Sequence, residues 1–247
     1  MSYSIITNHP IAETSLDHIF PKGVKNDKGG PNYGWTSSYN PFVDDVVKHF
    51  RQDNLPVLDL GASSGYLVND FLVKGCDAVG IEGSDWPIIN KAIHWKNWHN
   101  IRLFNADISK PFQLLKDNTP ALFKLINAWE VVEHLHPDDL NTFTENVYNH
   151  LDDDGIFVMS VSPWFEPADL KDNTYINLHQ SHEIKLRSEW KLIFHKFEFF
   201  GTVREKHGSA YHYIFDNRYR GKVRGPEGKK HTFWSTLRKK NVGLIYR

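Results

Sequence analysis

Val57-Leu-Asp-Leu-Gly-Ala-Ser-Ser-Gly65 is the stretch on which the reading of this chain turns. Pro56 to Leu60 is a short apolar strand holding one aspartate, Gly61 to Gly65 is a tight turn, and Tyr66 to Lys74 is a helix closed by Gly75. A glycine turn between a strand and a helix lets a ligand approach the backbone closely. It is not a dinucleotide fingerprint. With Gly61 as the first glycine of G-x-G-x-x-G, Ser63 stands second and Tyr66 third, wrong for pyrophosphate approach and for helix packing. Asp59, an acid in this segment, suits a ligand with an amino group better than one with phosphates.

The pattern repeats outward from this unit. Ala78 to Ile81 is a second strand ending at Glu82, a helix is expected from Asp85 to about Lys96, and Ile101 to Phe104 is a third strand ending at Asn105-Ala-Asp107. Leu122 to Ile126 is a fourth strand, Asp138 to Leu151 a helix, and Gly155 to Val161 a fifth strand. Upstream, Pro41 to Arg51 carries Phe42, Val46 and Phe50 on one helical face. Five short apolar strands separated by helices mean a parallel sheet covered on both faces, whose ligands sit at the carboxyl ends of the strands. Beyond the fifth strand the chain is irregular to about residue 186. A helix near Ser188–His195 follows, then two strands at 197–203 and 210–215 suited to an antiparallel pair at the sheet edge. Residues 1–40, with Pro10, Pro21, Gly29-Gly30, Pro31 and Gly34, read as an irregular N-terminal segment, 41–215 as the single domain, and 216–247 as a basic C-terminal extension.

The 247 residues are 40% hydrophobic, 24% charged and 14% aromatic, a globular balance that excludes a disordered or fibrous chain. Cys76 is the only cysteine, which excludes an internal disulfide and a cysteine zinc site and favours a reducing compartment. The first residues carry no basic group ahead of their apolar pair, and no stretch approaches the ~18 apolar residues of a membrane helix, so a cytoplasmic protein without a membrane span is expected. Net charge is −1, but residues 201–247 hold 12 Lys/Arg against 3 Asp/Glu, leaving 17 against 27 before them. Such a tail serves an anionic partner or docks on its own acidic domain.

Over about residues 42–163 the chain resembles the class I S-adenosylmethionine-dependent methyltransferases, in particular the small-molecule group related to ubiquinone-biosynthesis and sugar methyltransferases. Val57 to Gly65 looks like the family's D-x-G-x-G-x-G loop with Ser63 in place of the middle glycine. Val79-Gly-Ile-Glu-Gly-Ser84 looks like its second-strand motif, Asn105-Ala-Asp-Ile108 like its adenine-contacting acidic motif, and Trp129-Glu-Val-Val-Glu-His-Leu135 like its E-x-x-E-H segment. Leu151 to Val161 matches its glycine turn and fifth strand. The resemblance implies an α/β, Rossmann-like fold with a seven-stranded, mostly parallel sheet in the order 3-2-1-4-5-7-6 and an antiparallel last strand. It implies S-adenosyl-L-methionine as cofactor. Asp59 would counter the methionine ammonium, Gly61, Ser63 and Gly65 would line the loop, and Glu82, 23 residues beyond Asp59, would accept from both ribose hydroxyls. Asp107 would accept from the adenine amine, Ile108 or Trp86 would cover the ring, and Asn127 at the end of strand four is a further cofactor-binding candidate.

Methyl transfer depends mainly on alignment, but an alcohol acceptor needs a base. If residues 129–135 are helical, Glu130 and His134 lie four apart on one face, the carboxylate orienting the imidazole and raising its pKa. The alternative is that Glu133 and His134 buttress the loop after strand four. His179 in the stretch after strand five, where the family places its acceptor lid, is the second base candidate. His179 and His182 have metal-ligand spacing but no third ligand, so no metal is expected. Asp152-Asp-Asp154 precedes strand five, at the edge away from the cofactor, and reads as a turn. Exocyclic-amine nucleic-acid methyltransferases carry an N-P-P-Y-like loop where this chain has Asn127-Ala-Trp-Glu130, and Cys76 lies at the wrong end of its strand for a cytosine-C5 nucleophile. The ribose 2′-O-enzymes place a catalytic Asp where Asn127 stands. The expected activity is O-methylation of a polar small molecule such as a sugar or glycan. The alternatives are an RNA methyltransferase using the basic tail, with its interleaved aromatics, and a non-catalytic cofactor-binding or interaction module.

Overall fold

A computed structural model of the protein describes residues 2–12, 41–129, 131–132, 135–161, 196–201 and 233–239. In chain order its elements are β1 (Tyr3–Thr7), α1 (Pro41–Phe50), β2 (Pro56–Leu60), α2 (Tyr66–Val73), β3 (Asp77–Glu82), α3 (Trp86–Ile89), α4 (Ile93–Trp98) and β4 (Leu103–Asn105). They continue with β5 (Phe112–Lys116), β6 (Thr119–Pro120), β7 (Phe123–Ala128), a 3-10 turn (Pro137–Asp139), α5 (Leu140–His150), β8 (Leu151–Val161), β9 (Phe197–Gly201) and β10 (Phe233–Lys239).

The main sheet has seven strands in the order β4-β3-β2-β7-β8-β10-β9. The first five are parallel, and β10 runs antiparallel to both β8 and β9. This is the order 3-2-1-4-5-7-6 that the resemblance implies. Side chains alternate across it as a pleated strand requires. Val57 and Ala78 face a core built with Phe42, Val43 and Val46 of α1, Leu67, Val68 and Phe71 of α2, and Trp95 of α4. Leu58, Leu60, Val79 and Ile81 face the other core, closed by Leu140, Phe143 and Val147 of α5 and by Tyr3, Phe112 and Leu114.

Those last three residues belong to an arrangement the sequence reading lacks. Between β4 and β7 the chain forms no helix but a hairpin, β5–β6, whose two turn residues Asp117 and Asn118 both have positive φ, 49° and 64°, as a type I′ turn needs. β1 pairs antiparallel with β5 to make a three-stranded sheet, order β1-β5-β6. The segment expected to be irregular therefore contains a strand. Asp77, at the start of β3, fastens this sheet to the large one: it accepts from Tyr3 Oη at 2.8 Å and from Lys116 Nζ at 2.7 Å, and it pairs with Arg102.

Other expected bounds shift for physical reasons. The helix expected from Asp85 to Lys96 is two short helices, broken where Lys91 takes φ 53°. Asp152 to Asp154 lie not in a turn but within β8, at a bulge where pairing with β7 jumps from Phe123↔Leu151 to Leu125↔Ile156; Lys124 pairs there with Asp152 and Asp154. β9 falls within the expected 197–203 strand, but its partner is β10, inside the segment read as a basic extension, and residues 210–215 lie outside the described residues.

Candidate functional site

The carboxyl ends of β2, β3 and β7 meet at three polar side chains. Asp59 stands opposite Asn127 in the parallel pairing of β2 with β7, and Asn127 Nδ2 donates to Asp59 Oδ1. Glu82 closes β3, one strand over. After Leu60 the turn keeps its hold on β3: the Gly61 and Ala62 N–H groups both donate to Ile81 O, at 2.8 and 2.9 Å. Gly61 then takes φ +80°, and a Cβ on it would lie 2.3 Å from Val131 Cγ2. Only glycine meets both conditions. Gly65, at φ +82°, is the N-cap of α2.

Ser63, where the family motif has a glycine, sits at φ +50°. A left-handed conformation costs an L-residue roughly 1–2 kcal/mol. Two hydrogen bonds hold it there: its N–H donates to Glu82 Oε2 at 2.7 Å, and its carbonyl accepts from Trp95 Nε1 at 2.7 Å. Glu82 also accepts from the Ser84 N–H at 2.9 Å. This carboxylate thus organises both the loop after β2 and the loop after β3.

The electrostatics of the pair are unusual. Asp59 is 3% exposed, and burial, opposed by the Asn127 amide and reinforced by the Glu82 charge, pushes its carboxyl up to about 7. Burial also raises Glu82, against the pull of the Ser84, Ser63 and Gly83 N–H groups. No cation hydrogen-bonds either carboxylate among the described residues. Asn127 Oδ1, fully buried beside Asp59, has no hydrogen-bond partner among the described residues. An orphaned acceptor next to an uncompensated carboxylate is the donor-seeking chemistry that an ammonium group satisfies.

Asp107 and Ile108 follow β4, one strand beyond Glu82, and both are buried. Asp107 Oδ1 accepts from the Ser109 N–H at 2.9 Å and from Ser109 Oγ at 2.6 Å, which orients the carboxylate within its own loop. Ile108 is held through its carbonyl by Asn146 Nδ2 of α5, at 3.0 Å. Trp86, also buried, opens α3 with its N–H on Ser84 Oγ at 3.1 Å. The eight cofactor-binding candidates, Asp59, Gly61, Ser63, Gly65, Glu82, Asp107, Ile108 and Asn127, therefore all lie at or just beyond the carboxyl ends of four adjacent strands, β4-β3-β2-β7.

The base candidates Glu130, His134 and His179 lie outside the described residues. The described members of 129–135 belong to no α-helix, so the four-residue helical spacing of Glu130 and His134 gains no support. Sequence reasoning missed the N-terminal contribution. Beyond β1, His9 O accepts from the Asp107 N–H, and the Ala12 N–H donates to Gly83 O, both at 2.9 Å. Those bonds are made by the peptide backbone and leave no sequence signal.

A family model for a methyltransferase domain matches residues 35–200. No curated protein matches the sequence. Among solved structures, the chain is similar to a TehB-like SAM-dependent methyltransferase from Corynebacterium glutamicum, at 13% identity and a TM-score of 0.53, over 81% of this chain and 88% of that one. It is similar to an S-adenosylmethionine-dependent methyltransferase from Clostridium acetobutylicum, at 13% identity and a TM-score of 0.52, over 91% and 96%. A third is the glycopeptide N-methyltransferase MtfA complexed with sinefungin, at 13% identity and a TM-score of 0.50, over 88% and 99%. The family match spans more than half of the chain: this protein belongs to the methyltransferase-domain family, and its cofactor is S-adenosylmethionine.

Proposed function

We propose that this methyltransferase acts on a hydroxyl of a polar small molecule, such as a sugar or glycan, with the cofactor seated on the strand ends described above. The cofactor supplies a methyl group on a sulfonium, already a good leaving group, so the protein's own work is to hold, orient and exclude water. The observation that carries the seat is the Asp59–Asn127 pair, a buried carboxylate without a cation beside an amide oxygen without a donor among the described residues. The methionine ammonium satisfies both. Glu82 would accept from the ribose and Asp107 from the adenine amine, while Gly61, Ser63 and Gly65, all at positive φ, give the loop the tight turn that carries it past the seat. The described residues include no group of three or more His, Cys, Asp or Glu able to hold a metal, and the reading requires none.

For the acceptor, support comes from the sequence between Pro163 and Arg187, where Trp164, Phe165, Tyr175, His179 and His182 combine flat stacking surfaces with hydrogen-bonding groups. His134 or His179 would take the hydroxyl proton. An RNA acceptor gains less support: Arg238 and Lys239, part of the basic tail, stand in β10 opposite Glu198 and Phe197, within the sheet rather than on a free arm. The test is transfer of labelled methyl from S-adenosylmethionine to a panel of sugars, amines and RNA. Base-stable ethers on sugar hydroxyls are expected; label only on amines or RNA would overturn the acceptor assignment. His179→Ala should lower turnover while sparing cofactor affinity.

A further inference from the structure

We infer that the N-terminal segment, through the Ala12 N–H and the His9 carbonyl, is a positioning element of the cofactor site. The inference rests on the cofactor seat proposed above. β1 ends at Thr7 beside Phe112, where Thr7 Oγ1 donates to Pro111 O at 3.4 Å and accepts from the His9 N–H at 3.0 Å, turning the chain toward the strand ends. The segment then crosses two loops in succession. At His9 it takes the Asp107 N–H; at Ala12 it gives its own N–H to Gly83 O. Asp107 is itself the acid that would recognise adenine, and Gly83 directly follows Glu82, the acid that would recognise the ribose.

Each loop is already held from another side. Asn146 Nδ2 donates to Ile108 O at 3.0 Å and Lys110 O at 2.8 Å; Asn105 Nδ2 donates to Glu82 O at 3.2 Å and Ser84 O at 2.7 Å. What the N-terminal segment adds is a bridge from one loop to the other that starts outside both. The fit is close: a Cβ on Gly83 would lie 2.9 Å from Ala12 Cβ, so a larger residue at position 12 pushes on the residue next to Glu82. β1 anchors the bridge, with Tyr3 buried in the core and bonded to Asp77. Positioning of this kind lowers the cost of ordering the loops when the cofactor binds.

Three full-length variants test this without disturbing β1. Ala12→Pro removes the donor, Ala12→Leu keeps it but crowds Gly83, and Ala12→Gly keeps the donor and the space. Losing one hydrogen bond that holds a binding loop should weaken S-adenosylmethionine roughly 3- to 10-fold in Ala12→Pro. Ala12→Leu should weaken it comparably, Ala12→Gly should bind within about 2-fold of the parent, and all three should melt within about 4 °C of the parent and keep its turnover at saturating cofactor. Unchanged affinity in Ala12→Pro would overturn the proposal. Should that variant fold poorly, hydrogen exchange of the parent decides: amides of residues 9–12 slow on saturation with the cofactor, and exchange that does not respond overturns it. Glu82→Gln separates the premise from the inference. If Glu82→Gln binds normally the seat itself is wrong; if it loses binding while Ala12→Pro does not, only the bridge is wrong.

Discussion

Asp59 and Asp77 stand on adjacent strands of one sheet, 3% and 6% exposed, yet they are charged to opposite effect. Burial raises the pKa of both. At Asp77 it is outweighed by Lys116, Arg102 and Tyr3, which together hold the carboxyl below its ordinary value. At Asp59 the donor is a neutral amide and the neighbouring charge is another carboxylate, so the group rises to about 7. The amino end of the sheet is electrostatically finished by the chain itself. The carboxyl end is not, and a buried acid without a counter-charge is stable only as long as it holds a proton or meets a cation. One aspartate staples two sheets together; the other is the one proposed to meet the cofactor's ammonium.

The largest way to break this contrast is at the carboxyl end. Gly61→Leu places a side chain against Val131 at a positive φ and should abolish cofactor binding in calorimetry while circular dichroism stays that of a folded α/β protein. Next comes the amino end. Asp77→Ala strands Arg102 and Lys116 and unties β1, and should cost about 3 kcal/mol in urea unfolding, toward the low end for a broken buried pair because both cations reach water. Its cofactor affinity should match the parent's once folded. A loss of affinity as large as that of Gly61→Leu would erase the distinction between the two ends. The smallest effect should come from the tail: charge-neutralising Lys229, Lys230 and Lys240 should leave turnover on small acceptors within about 2-fold and remove any salt-steep RNA binding.

The parallel core was legible because its strands are continuous apolar runs. Val57-Leu-Asp-Leu60 and Ala78-Val-Gly-Ile81 are buried on both faces, and Gly61 and Gly65 mark the turn by a conformation few other residues adopt. Asp59 and Glu82 were legible as acids out of place in such runs. β1 was not: burial alternates along Tyr-Ser-Ile-Ile-Thr but hydropathy does not, since Ile6 is exposed beside Ile5, and its partner strand lies more than a hundred residues away. β10 was hidden by charge, since Phe-Trp-Ser-Thr-Leu-Arg-Lys reads as part of a basic tail until its pairing with β8 is known. Asn127 was visible as a residue at a strand end. Its unpartnered oxygen, which gives it meaning, depends on register with Asp59 and no sequence pattern carries it.

The two aspartates also differ in what pH does to them. Asp77, ionised well below its ordinary range, stabilises the fold above pH 3.8, and that contribution is lost as pH falls through its lowered folded value. Asp59 in the cofactor-free protein keeps its proton up to about pH 7, so its contribution to stability is largest in acid and fades as pH rises from 3.8 to about 7. An ammonium bound against Asp59 requires the ionised form, and binding must therefore expel the proton below pH 7. Calorimetric titration of S-adenosylmethionine at pH 6 and pH 8, each in two buffers of different ionisation enthalpy, reads that proton directly. Release of roughly one proton per site at pH 6 and almost none at pH 8, with tighter binding at pH 8 and both effects gone in Asp59→Asn, is the expected result. Equal affinity and no proton release at either pH, or an Asp59→Asn variant that binds as the parent does, would contradict the assignment of Asp59 as the cofactor's counter-charge.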